Sequence, residues 1–404
     1  MLMKLKYLVF LLLISVSPFL NAKNLNGVFV DFSELEKVKV EIGNNNPNYL
    51  PAYKSLLEKA DLALTEGPFS VMDKKRIPPS GDKHDYLSGG PYWWPDPKKP
   101  NGLPYIRRDG KVNPEMRGEN VDPPAKIKMM NNLNILAWAY YFSEEKKYAR
   151  KAVELLKTWF LDEATRMNPN LNFAQGIPGR VEGRGIGIID WREIYKIITP
   201  IEILSNEKLL GKKTERGLSG WFEAYYEWLH THEYGKFEDD YFNNHGTWFD
   251  MQAVGIALFL GKNDAARERL EGKTKKRISK QIEPDGSQPH ELGRTKSLSY
   301  SVMNLRGFCI LADMGRKIGI DLWGFETTDG RGIEKAFEFL LPVATGEQSW
   351  KYQQISGMED ALHSLQINFR MAAHATGKPK YLEVARTMPV PFYDLEALIY
   401  PIGF

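Results

Sequence analysis

Between positions 127 and 375 the chain is a succession of segments in which apolar residues recur every three or four positions. That period leaves helix packed on helix as the available architecture. Within 297–314, Leu298, Val302, Leu305, Cys309 and Ala312 fall on one face of a helix. The same spacing predicts helices over 127–142, 146–161, 221–232, 247–260, 263–281, 332–341 and 359–375. Strand-like alternation is scarce. Connections are short and rich in glycine or proline, so consecutive helices should form hairpins lying side by side. An open bundle, a solenoid and a closed α/α barrel all satisfy such a pattern.

Two regions break the helical period. Residues 77–124 are rich in proline, glycine and aromatic rings, and 168–189 hold five glycines among Asn172, Gln175, Arg180 and Arg184. Irregular segments of this length inside a compact domain are usually functional or disordered, and their aromatic and polar content points to function. No linker, charge block or fixed-period repeat divides the chain, so 23–404 is expected to be one domain.

The N-terminus carries Lys4 and Lys6, an apolar run over 7–20 and a small residue at Ala22. The run is too short to span a bilayer and has the layout of a cleavable secretory signal over 1–22, so a periplasmic or secreted protein without stable membrane insertion is expected. Cys309 is the single cysteine, so no intrachain disulfide can form, and its apolar neighbours make it a small core residue. The formal net charge is +3 and drops by two with loss of Lys4 and Lys6. That balance argues against nucleic acid as a partner but leaves room for a polyanion met by local clusters of positive charge. The chain is expected to act as a monomer.

Four clusters carry chemistry. Asn243-Asn244-His245-Gly246-Thr247 directly precedes an apolar helical run, so Asn or Thr can cap the helix and place His245 at its positive end. A neutral imidazole there can accept a proton. Gly293-Arg294-Thr295-Lys296-Ser297-Leu298-Ser299-Tyr300 leads into the next helix, with Thr295 or Ser297 as candidate caps. The Arg294 guanidinium is expected to lower the Tyr300 phenol, making it usable as base and acid. Lys83, His84, Tyr86, Tyr92, Trp93 and Trp94 form a third group, flat rings for stacking on sugars with cations for carboxylates. Asn172, Gln175, Arg180, Arg184 and Arg192 form a fourth, where glycines let backbone approach a ligand and guanidinium groups can grip carboxylates. An amide, imidazole, guanidinium and phenol suit β-elimination beside a carboxylate; hydrolysis of a glycoside needs two opposed carboxylates. Asp239, Asp240, Glu283 and Asp285 offer carboxylates for that rival chemistry without a specific pattern, and a non-catalytic glycan binder is the remaining class. Glu359, Asp360 and His363 lack a second ligand pair, so no metal is expected.

Lys83-His84-Asp85-Tyr86, Tyr92-Trp93-Trp94-Pro95-Asp96-Pro97, Gly102-Leu103-Pro104-Tyr105-Ile106, Arg108-Asp109-Gly110, the 172–187 segment and Asn244-His245 together resemble the alginate lyase domain, with polysaccharide lyase family 38 as the nearest branch. The resemblance implies an all-α (α/α) barrel and a lyase, needing neither metal nor cofactor, that cleaves 1,4-linked uronic acid polymers, with alginate favoured over glucuronan. It assigns acid–base roles to His245 and Tyr300, and carboxylate neutralisation to Asn244 and Arg294, with Arg306 competing for the place of Arg294. In mannuronate and glucuronate H5 and O4 lie on one side, so Tyr300 can be both base and acid. In guluronate the proton leaves from the opposite face, with His245 as base and Tyr300 as acid.

Overall fold

A computed structural model describes residues 26–388 and 395–402. The signal-like segment over 1–22 lies outside the described residues. The helices are α1 (Phe32–Gly43), α2 (Leu50–Leu64), α3 (Pro123–Ser143), α4 (Lys146–Phe160), α5 (Tyr195–Asn206), α6 (Lys212–Thr231), α7 (Glu233–Asp239), α8 (Asn244–Phe259), α9 (Asn263–Arg269), α10 (Lys275–Gln281), α11 (Pro289–Leu292), α12 (Ser297–Lys317), α13 (Ile333–Ala344), α14 (Met358–Thr376), α15 (Pro379–Thr387) and α16 (Glu396–Ile399).

They alternate between an outer and an inner ring. The inner helices contact in the order α3, α5, α8, α12, α14, while α2 and α4 back α3, α6 and α9 back α8, and α13 and α15 back α14. The residue pattern explains the sorting. From Thr247 to Ala257 α8 is buried on every side, which only an inner position can satisfy. By contrast α4 buries Tyr148, Ala152, Leu155, Leu156 and Trp159 and leaves Lys157 and Glu154 outside. The result is an α/α barrel. The 26–31 segment is tied to two inner helices, Lys317 of α12 donating to the carbonyls of Gly27, Val28 and Val30 and Glu202 of α5 accepting from the Val28 N–H at 2.9 Å, while Arg370 of α14 donates to the Ala397 carbonyl of α16.

The stretch expected as one helix over 263–281 is interrupted by a π-helical turn, Leu270–Thr274. The wider turn lets Arg269 (2.8 Å) and Arg277 (2.8 Å) both reach the buried Asp250 on α8. Cys309 is buried and free, as its neighbours implied.

The two irregular regions fold over one end of the barrel. β1 (Leu87–Gly89) pairs in parallel with β4 (Phe173–Gly176), and β2 (Trp93–Trp94) pairs antiparallel with β3 (Ile106–Arg107). Asp122, just before α3, pins the first region: its Oδ2 accepts from the Leu87 N–H at 2.7 Å and meets Lys74 at 3.1 Å. Burial outweighs that partner and pushes Asp122 up to about 7.

An aromatic stack fixes the helices beneath. Trp191 is fully buried, lies 5.6 Å from Trp221 in a stacked pair, and meets Tyr86 and Phe160 edge-on. Trp191→Ala is expected to cost about 3–5 kcal/mol through lost burial and the cavity left behind. Chemical denaturation read at the midpoint tests it, and a cost below about 1 kcal/mol would show that the site collapses around the gap.

Candidate functional site

The N-terminal ends of α8 and α12 open into a cleft of about 550 Å³ beneath the β2–β3 loop. Asn243 caps α8 by accepting from the His245 N–H at 3.1 Å, so His245 occupies the first turn as its sequence implied. Lys296 precedes α12 without a side-chain cap, so neither Thr295 nor Ser297 has the capping role expected of it. Thr295 instead donates to Asp109 at 2.9 Å.

The His245 Nδ1 lies 2.7 Å from Glu238 Oε1, on α7. An ionised Glu238 fixes the proton on Nδ1 and leaves Nε2 as the nitrogen able to accept one. Glu238 is wholly buried and its other oxygen has no partner, so burial raises its carboxyl, opposed by His245. Asn244 is also fully buried. Its backbone N–H and its Nδ2 each donate to Glu291 at 2.8 Å, leaving Oδ1 unpartnered. Nδ2 carries two hydrogens and Glu291 takes one of them, so the amide retains a second donor at the cleft wall.

The Tyr300 hydroxyl receives Arg294 Nη2 at 2.9 Å and lies 2.7 Å from the Tyr92 hydroxyl. The guanidinium carbon sits 3.9 Å from the centre of the Tyr300 ring, and Asp109 holds the same guanidinium through Nη2 at 2.7 Å and Nε at 3.2 Å. Among the described residues Arg294 Nη1 has no acceptor, so its donors face the cleft. Arg306, the competing arginine, is tied to Asn368 and lines a neighbouring cavity instead. The expected lowering of Tyr300 is overturned: burial and the Tyr92 phenol raise it well above 10.0, and Arg294 offsets only part. At rest Tyr300 is a phenol.

Gln175 adopts a left-handed backbone (φ 51°), a strained conformation for a non-glycine residue. Its side chain donates to Asp190 at 2.8 Å and accepts from Arg184 at 3.1 Å, fixing that guanidinium at the cleft wall. Trp93 lies beside it, 5.9 Å from the Arg184 guanidinium. Arg107, Arg117, Arg192 and Lys296 also line the cleft, whereas Asp190 is the one acid among the described lining residues. Such a surface suits an anionic ligand.

The cleft thus gathers Tyr92, Trp93, Gln175, Arg184, Asn244, His245, Arg294 and Tyr300. Six other sequence candidates do not line it. Tyr86 is in the core, its hydroxyl donating to Asp190 at 3.3 Å, so no sugar can stack on it. His84 Nδ1 bonds the Arg166 carbonyl at 2.6 Å, and the adjacent Lys83 carbonyl accepts from Lys74. Trp94 donates to the Lys111 carbonyl, and Asn172 accepts from Trp228. Arg180 bonds the Tyr105 carbonyl and covers the Trp93 ring from a separate pocket. Glu238 and Glu291 are neighbours of the candidate residues that the sequence did not single out, and Asp109 stood there only within the Arg108-Asp109-Gly110 motif, without a partner. The carboxylates offered for hydrolysis are elsewhere: Asp239 is bound by Arg269, Lys273 and Arg277, and Asp285 accepts from the Ser287 N–H.

Comparison with known proteins agrees with this architecture. The sequence pattern of the alginate lyase family matches residues 70–350. A crystal structure of an alginate lyase from Bacteroides ovatus is 39% identical, spans 94% of this chain and 100% of that one, and superposes with a TM-score of 0.89. Alginate lyase A1-III from Sphingomonas species A1 shares the fold at 15% identity, covering 87% of this chain and 96% of that one, with a TM-score of 0.53. A histidine-to-alanine variant of A1-III complexed with a tetrasaccharide is 16% identical over 95% and 98% of the two chains, with a TM-score of 0.59. No curated protein matches the chain. The protein is a polysaccharide lyase, a carbon–oxygen lyase built on an α/α barrel. It belongs to the alginate lyase family.

Proposed function

We propose that the protein depolymerises alginate by β-elimination, with its own side chains as acid and base and no metal. The observation that carries this reading is the Tyr300 hydroxyl held between Arg294 and Tyr92 in the same cleft as the Glu238-backed imidazole of His245. The C5 proton of a uronate is weakly acidic until its carboxylate charge is neutralised. Arg294 Nη1, Lys296 and the positive end of α8 supply that neutralisation and stabilise the dianion that follows proton loss. Asn244 joins them through its second Nδ2 hydrogen while the first, with its backbone N–H, holds Glu291 against the start of α8.

Elimination breaks C5–H and C4–O4, forms the C4–C5 double bond and puts a proton on the departing O4. Tyr300, a phenol at rest, delivers that proton. For guluronate His245 Nε2 takes the C5 proton. For mannuronate Tyr300 must first release its own proton, and its contact with Tyr92 is the route out. The N-terminal 22 residues serve as an export signal in this reading, followed by a single catalytic domain that works as a monomer outside the cytoplasm.

Incubation with alginate, mannuronate and guluronate blocks, and glucuronan, followed by ultraviolet absorbance of the conjugated product, tests the proposal. Alginate should give unsaturated ends without added metal and in the presence of a chelator. Saturated ends would indicate hydrolysis, and turnover of glucuronan alone would replace the substrate.

A further inference from the structure

A second cavity, of about 310 Å³, adjoins the cleft and shares Arg192, Ser299 and Met303 with it. Its size is within the ~300–1,000 Å³ range of small-ligand sites. Its walls come from the first turns of α5, at Tyr195, and of α14, at Asp360 and Ala361, together with Trp248 of α8. The positive ends of two more inner helices therefore face the same end of the barrel as α8 and α12.

Two groups there have unmet capacity. Arg192 is half-buried at the junction of the two cavities, and its guanidinium makes no hydrogen bond among the described residues. The neighbouring Glu193 is ion-paired with Lys196 at 2.9 Å, and the nearby Arg192 charge also holds its carboxyl down without a hydrogen bond. Trp248 is 3% exposed, yet its Nε1 has no partner among the described residues. Trp159 and Trp191 have the same orphaned Nε1 in the core, and what distinguishes Trp248 is that it lines the cavity.

We infer that this cavity is a further subsite for the anionic polymer, taking the carboxylate of the next uronate on Arg192 and a sugar oxygen on the Trp248 indole N–H. Exposed Asp360, at the rim, accepts from ring hydroxyls. The inference rests on the uronan-lyase reading, since it extends the same substrate across the barrel mouth.

The test uses mannuronate and guluronate oligomers of increasing length with the wild-type protein, Arg192→Ala, Arg192→Lys and Ser364→Trp, which fills the cavity from α14. In the wild type, kcat/KM should rise about tenfold when one added sugar reaches the cavity, as a charge-assisted hydrogen bond allows. Both Arg192→Ala and Ser364→Trp should flatten that step, read within each protein as the ratio of kcat/KM on the longer to that on the shorter oligomer, with circular-dichroism melting as the check on folding, and Arg192→Lys should restore part of it. An unchanged length dependence in Arg192→Ala and Ser364→Trp overturns the subsite. Calorimetric titration of the same oligomers separates the two readings. A length-dependent Kd that Arg192→Ala flattens supports the subsite even if no oligomer is eliminated, and a wild-type Kd indifferent to length overturns it.

Discussion

Tyr300→Phe is expected to lower the formation of unsaturated ends by about 10³-fold on every uronan the protein cleaves. The variant removes one oxygen and keeps the ring, whose face packs 3.9 Å from the Arg294 guanidinium. Arg294 retains Asp109, and Tyr92 faces the open cleft where water can replace the lost partner, so the melting temperature should barely move. The loss is then chemical, because protonation of O4 is needed whichever group removes the C5 proton. The pH dependence follows from the raised phenol. Tyr300 stays protonated up to and beyond 10.0. On mannuronate, where it must first lose its proton, the rate should therefore rise towards that value, whereas on guluronate, where it is only the acid, an alkaline decline from its titration lies above it. Its stability contribution has the same sign: the folded state favours the phenol, and stability falls only as pH rises past the ordinary tyrosine value. If Tyr300→Phe keeps a tenth or more of the wild-type rate, the acid is another group.

Most of the inner ring was legible because a helix buried all round, or on one stripe, writes its period into the sequence. The segment expected over 146–161 is α4 to within a residue at its C-terminal end. The exceptions have local causes. Helix α5 reads Tyr-Lys-Ile-Ile-Thr-Pro-Ile-Glu-Ile-Leu, isoleucine-rich with Pro200 inside, a composition that by propensity resembles a buried strand. Packing between α3 and α8 overrides it. The π-turn in the helix after α8 answers to Asp250, a contact no periodicity encodes.

The site divides the same way. Asn243 and His245 were readable because helix starts have sequence signatures, whereas Tyr300 was placed by the apolar period of its helix, the caps expected of Thr295 and Ser297 being absent. Asp109 was not readable, being 185 residues from Arg294. Tyr86 misled because it adjoins the ring-rich segment, whereas its own position before β1 points it into the core. Aromatic residues near a functional loop report burial as readily as binding, and only the packing separates them.

Glu238→Gln is expected to weaken turnover of guluronate blocks by about 10²-fold while making the protein more stable at mild alkaline pH. The amide is nearly isosteric and its oxygen still accepts the Nδ1 proton of His245, so the ring keeps its place. What disappears is the negative charge that raises imidazole basicity and favours the imidazolium formed on proton abstraction, the role a buried carboxylate has in serine hydrolases. The stability sign is opposite to that of a favourable ion pair. Burial raises the folded Glu238 carboxyl above its ordinary 4.5, with His245 only partly opposing. The native state therefore holds this proton more tightly than the unfolded chain, and stability declines as pH rises from about 4.5 through the folded value. Glutamine carries no such burden. The melting temperature of the variant should exceed wild type by about 1–3 °C at pH values above the folded carboxyl, with the gain vanishing near and below 4.5. Mannuronate turnover, where Tyr300 serves as base, should fall less. Equal losses on both block types would assign Glu238 to the architecture of the cleft, and an unaltered pH–rate profile would remove it from the chemistry.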